Sequence, residues 1–170
     1  MVNNNEQSRN SNRYDGNNRN DVNCSYNGGN DENKKTEAEV EFDSLGFNTK
    51  WITEGATTEM VEFADKAGKF MANNNLTSSK IRSIYGEVKR IQMKGFEEGR
   101  TEFYLLKPKV AYTVGREKLS NKNHMQGLLL FKLIFDACFE HVTDEATYKN
   151  FCNLMEAILA YHKAYVKKDN

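Results

Sequence analysis

The chain has 170 residues, about one domain's worth, of which 38% are hydrophobic, 28% charged and only one a proline. No stretch approaches the ~20 apolar residues of a membrane span. The Asn-rich start, Met1-Val2-Asn3-Asn4-Asn5, carries no signal-peptide core. Cys24, Cys138 and Cys152 are too widely spaced for a disulfide framework or a zinc pattern, so a reducing, cytoplasmic setting is expected.

The net charge of zero averages unlike parts. Residues 1–43 hold 5 Lys/Arg against 9 Asp/Glu, whereas residues 80–122 hold 11 against 5. A basic stretch on a neutral chain points toward a polyanionic partner, although solvated helix faces can have the same composition.

In chain order, residues 1–44 are Asn-, Gly- and Ser-rich with little to bury. They are expected to stay disordered, because ordering costs roughly 1–2 kcal/mol per backbone residue. Residues 45–170 form the folded domain. Phe42, Leu45, Phe47, Trp51 and Ile52 bring apolar mass back and are expected to lie as a strap on the folded part.

Beyond them the apolar period is helical, with no alternating strand and no internal repeat. A first helix is predicted over 57–72 with Thr57 or Thr58 as cap, and a second over about 79–94 behind Thr77 or Ser78. The second buries Ile81, Ile84, Tyr85, Val88 and Ile91. Pro108 suits the first turn of a third helix, about 108–117. A fourth, about 122–141, carries the apolar run Leu128–Phe135, and a fifth, about 144–167, starts at Thr143 or Asp144. The expected architecture is an all-α bundle of about five helices behind a disordered Asn-rich tail.

The polar residues fall into patterns on this frame. At about 100° per residue, Arg82 and Lys89 lie some 20° apart on the second helix, with Gly86 near the same line. Glycine inside a helix costs about 0.5–1 kcal/mol against alanine. It is explained either by close approach of an extended polymer between two cations or by tight packing against another helix. Lys80 and Arg90 fall on other faces. Lys107 and Lys109 flank Pro108, where a helix start would add free amides to the positive potential. Arg116 follows Gly115, and its guanidinium suits a phosphate or a bridge to Glu117 or Glu156.

No catalytic constellation emerges: His124, His141 and His162 lack metal-ligand spacing, and P-loop, GxGxxG, GxSxG and HExxH patterns are missing. Glu97-Glu98 reads as solvated charge in a glycine-flanked loop. Cys138 and Cys152 read as small core residues, and His162 as a satisfied core histidine. Neither a cofactor nor a metal nor a small-molecule substrate is expected.

Three segments match one family in order and spacing: Leu76-Thr77-Ser78-Ser79-Lys80-Ile81-Arg82, then Leu106-Lys107-Pro108-Lys109-Val110-Ala111-Tyr112-Thr113-Val114-Gly115-Arg116, then Met155-Glu156-Ala157-Ile158-Leu159-Ala160-Tyr161-His162-Lys163. Together they resemble the small, all-helical subunit of type III-A CRISPR effector (Csm) complexes over about residues 57–166.

The resemblance implies a non-catalytic RNA-binding subunit in antiviral defence. Its copies stack beside a guide-RNA-holding backbone and line the channel for target RNA, with the other Csm subunits as partners and guide RNA as a second candidate ligand. By motif, Lys80, Arg82, Lys107, Lys109 and Arg116 carry over as RNA contacts, Lys80 standing where the family often has Gln. Lys89 and Arg90 are added from helix geometry alone. The alternative is a helical protein–protein interaction module that only assembles the complex.

Overall fold

The computed structural model describes residues 34–120 and 126–166. The acidic, Asn-rich segment up to residue 33, with Cys24, lies outside them, as do His124 and the expected first residues of the fourth helix. The described residues are helical without a strand and form seven helices rather than about five.

Two of the seven were not anticipated: α1 (Glu37–Leu45) and the single turn α2 (Lys50–Thr53). Residues 37–44, expected to belong to the disordered tail, are therefore helical. Local chemistry outweighs composition there. The Thr36 hydroxyl accepts from the Glu39 N–H, and the Glu39 carboxylate accepts from the Thr36 N–H at 2.7 Å, closing a capping box. Gly46, at φ 68°, ends α1 in the left-handed conformation that glycine adopts without penalty. Ala38 is fully buried, and its N–H donates to the Gln126 side-chain oxygen at 3.0 Å, tying α1 to α6. Phe42, Leu45 and Phe47 pack on the core, with Trp51 and Ile52 inside it.

The central helices follow their sequence signals closely. α3 (Thr58–Asn73) is capped by Thr57, α4 (Ser78–Lys94) by Thr77, and α7 (Glu145–Tyr165) by Asp144. α6 (Gln126–Phe139) buries most of the Leu128–Phe135 run. The α3–α7 pair packs closely because of Gly68, where a Cβ would stand 2.7 Å from the His162 backbone nitrogen. At the other end of the core, Phe96, Phe103, Phe135, Tyr148 and Phe151 join α6 and α7 to α5 through ring contacts of 5.0–6.5 Å between centroids.

α5 departs most from expectation. It runs from Phe96 to Ser120, so Pro108 lies inside it rather than in a first turn. The helix starts earlier because Gly95, at φ 91°, breaks α4, and the Glu145 carboxylate then accepts the Phe96 N–H. Glu97-Glu98 therefore occupies the first turn of a helix, not a loop. Pro108 removes the N–H that would bond the Tyr104 carbonyl. Both residues are exposed, so water can serve that carbonyl.

Candidate functional site

α4 and α5 are sequential helices that turn back on each other at Gly95. Their seam carries three ion pairs: Lys80–Glu117 at 2.7 Å, Lys109–Glu87 at 3.1 Å and Lys94–Glu102 at 2.8 Å. As the α4 number rises from 80 to 94 the α5 partner falls from 117 to 102, which fixes an antiparallel register. Ile91 against Gly99 closes the apolar side, where a Cβ on Gly99 would come within 2.6 Å of the Ile91 side chain.

The outer face of α4 is polar. Arg82 is exposed and makes no ion pair among the described residues. Gly86 is exposed too, and a Cβ there would meet nothing within 4 Å, so tight packing against another helix does not explain this glycine. Lys89 leans toward α7, with Gln92 Oε1 at 2.8 Å and the Glu156 carboxylate at 3.6 Å. Arg90 donates through Nε and Nη2 to the same Glu87 oxygen at 3.2 and 3.0 Å. Hydrogen bonds from Lys109 and then Arg90 hold the Glu87 carboxyl below its usual range.

On α5, Lys109 and Arg116 share the solvent side; Arg116 is exposed but not without a partner. Lys107 points away from this group, toward α6. Its ammonium lies 2.6 Å from the Glu140 carboxylate and 4.7 Å from the Phe139 ring centroid. Because Lys107 and Lys109 sit in mid-helix, the free amides expected beside them do not exist; their N–H groups belong to an α-helix already under way. The structure therefore sets Lys80, Arg90 and Lys109 at the α4–α5 seam with Arg116 on the solvent side of α5, leaves Arg82 with Lys89 on the side of α4 turned from that seam toward α7, and separates Lys107.

His162, Cys138, Cys152 and Tyr148 lie in the core. His162 is buried, and its Nε2–H donates to the Leu76 carbonyl at 2.7 Å; burial lowers its pKa. The Cys138 and Cys152 thiols are buried, and burial pushes Cys152 up to about 12, far from a thiolate nucleophile. The Tyr148 hydroxyl donates to the Val88 carbonyl at 2.7 Å and stitches α7 to α4. Among the described residues, no group of three or more His, Cys, Asp or Glu side chains could hold a metal ion, and no helix is long and apolar enough to cross a membrane.

Sequence reasoning offered Glu117 and Glu156 as partners of Arg116, not of Lys80 and Lys89, and missed Glu87 and Glu140. Glu87 and Arg90 are three apart, a spacing that announces a helix pair. Glu117, Glu140 and Glu156 meet their cations only through tertiary packing, for which the sequence holds no signal.

The family model described as Csm2 Type III-A matches residues 54–168. The chain belongs to that family. It is thus a small subunit of the type III-A CRISPR (Csm) complex and associates with other Csm subunits. The matched region takes in α3 to α7, and so the whole α4–α5 layer, while α1 lies outside it. No curated protein and no solved structure matches the chain significantly.

Proposed function

We propose that this subunit is a non-catalytic RNA-binding component of the complex, working in the cytoplasm and holding target RNA by its sugar–phosphate backbone along the α4–α5 layer. The observation that carries this reading is the outer face of α4. Arg82 stands exposed without an acidic partner among the described residues, beside a glycine that leaves the helix backbone open. A permanently charged, bidentate guanidinium next to bare helix surface suits a phosphate approaching closely.

Guide pairing supplies sequence choice in RNA-guided complexes, so a channel-lining subunit needs to grip phosphate and ribose without reading bases. The neighbouring cations are tied to carboxylates at the surface, where such pairs are worth only about 0–1 kcal/mol. A phosphate can therefore replace the carboxylate at little cost. Each contact on a single strand contributes about −0.7 to the slope of log K against log salt. A row of copies on one transcript multiplies weak contacts through effective concentration.

Binding of target RNA by the assembled complex tests this reading. Arg82→Ala with Arg116→Ala should weaken it and flatten its salt slope, with helicity unchanged; equal affinity at low salt rejects it.

A second reading, a module that only assembles the complex, is favoured by the ion pairs of Lys80, Lys89, Lys107 and Lys109. On that reading the same substitutions shift the size-exclusion profile of the subunit with its partners and leave the RNA affinity of correctly assembled complexes alone.

A further inference from the structure

The outer face of α5 carries an exposed aromatic side chain that phosphate binding does not use. Tyr112 is 69% exposed, in a helix whose inward residues Phe103, Leu106, Val110 and Val114 are buried. Packing therefore does not account for a tyrosine here. Of its four same-face neighbours at helical spacing, Pro108, Lys109, Gly115 and Arg116, two are cations: Lys109 three residues before and Arg116 four after, each within about 60° of Tyr112 around the axis. Leu105, 61% exposed, and Pro108 extend the apolar surface along the same helix toward its N-terminal half.

A flat ring with a positive charge one helical turn to either side matches a nucleotide unit. A base has a π-face of tyrosine's width, and the phosphates that flank it are anionic. This is the combination that holds single strands without sequence choice, because every base has such a face. A protein partner would equally bury the ring, but it gains nothing from a cation on each side unless it brings acids at the same spacing.

We propose that Tyr112 is a stacking platform for an unpaired base of single-stranded RNA, with Lys109 and Arg116 attending the adjoining phosphates. The inference rests on the RNA-binding reading and deepens it: the ring takes a base of the bound strand that the guide leaves unpaired, beside the backbone contacts. Stacking contributes no counterion release, so it adds affinity without adding to the salt slope.

The test uses the full-length protein and a fluorescein-labelled oligouridine, with a blunt RNA duplex and an abasic strand of equal length as comparisons. Tyr112→Ala should weaken oligouridine binding about 5- to 150-fold, leave the salt slope unchanged, and have little effect on the duplex or the abasic strand. Tyr112→Phe should bind like the native protein. Circular dichroism should be the same for all, since the side chain is exposed.

Several results overturn the inference. If Tyr112→Ala binds oligouridine as tightly as the native protein while Arg82→Ala binds less tightly, stacking is wrong and the RNA-binding reading stands. If neither substitution changes binding, both fail. A loss with Tyr112→Phe equal to that with Tyr112→Ala assigns the contact to the hydroxyl. An altered size-exclusion volume with unaltered RNA affinity makes the face a protein contact.

Discussion

Lys109 Nζ donates to Glu87 Oε1 at 3.1 Å, joining α5 to α4 across their outer seam. A cation expected to meet a phosphate is thus held by a carboxylate in the free protein. The same carboxylate also accepts from Arg90, so Glu87 decides how available two candidate contacts are.

Glu87→Gln removes that competition while keeping the shape of the side chain. RNA affinity at low salt should rise about 1.5- to 5-fold, the worth of an exposed pair, and stability should fall by less than about 1 kcal/mol. Fluorescence anisotropy against a labelled single strand checks the first, and urea denaturation the second. Unchanged affinity would remove Arg90 and Lys109 from the interface.

Two helix-interior glycines, Gly68 and Gly86, should respond in opposite ways to alanine. At Gly68 the new Cβ would stand 2.7 Å from the His162 nitrogen, a backbone atom that cannot swing aside. Overpacking of this kind costs about 1–3 kcal/mol. At Gly86 the space is empty, so alanine should add about 0.5–1 kcal/mol of stability. Urea midpoints of the two variants decide this. A Gly86→Ala protein that is more stable yet binds RNA less tightly would mark close approach of the strand to the helix backbone.

Pro108 interrupts the hydrogen-bond ladder of α5 at an exposed position. Pro108→Ala restores one donor and removes the ring's clash with the preceding turn, a penalty of about 3 kcal/mol in a helix interior. Thermal unfolding should move up by several degrees. No rise would mean that α5 is already adapted around the ring.

Stability should depend on pH through His162. Burial holds its folded pKa below 6.5, its ordinary value. The unfolded chain therefore binds the proton more readily than the folded one. The stabilisation is fully present above about pH 6.5 and shrinks as pH falls below it. The urea midpoint should drop between about pH 7 and pH 5.5, before the carboxylates held by cations, such as Glu87, begin to protonate below their ordinary 4.5. His162→Gln, which keeps a donor for the Leu76 carbonyl, should flatten that window.

Periodicity and caps sufficed for the central helices. Thr57, Thr77 and Asp144 each accept an N–H at the helix start they announce, and Ile81, Ile84, Val88 and Ile91 are buried as a stripe. Composition misled in the acidic segment. Averaged over forty residues it hides Thr36 and Glu39, a four-residue device that starts a helix regardless of its surroundings.

Pro108 misled differently. A proline fits a first turn, but it is also tolerated where the orphaned carbonyl faces water, and only the fold tells which side of the helix is wet. Of the candidate contacts, helix geometry correctly set Arg82 near Gly86. At about 200° apart on one helix, Lys107 and Lys109 have to turn to different neighbours, Glu140 on one side and Glu87 on the other, and only placing them at a helix start hid this.

The shared carboxylate at Glu87 has a consequence for ligand size. A lone mononucleotide arriving at the α4–α5 seam finds cations already occupied and must evict an anion for a single new bond. A polymer arrives with its charges in series, so several evictions are offset together and the chain stays even when one link lets go. On the RNA-binding reading the seam therefore selects by length, passing over small phosphates and answering to the long strand.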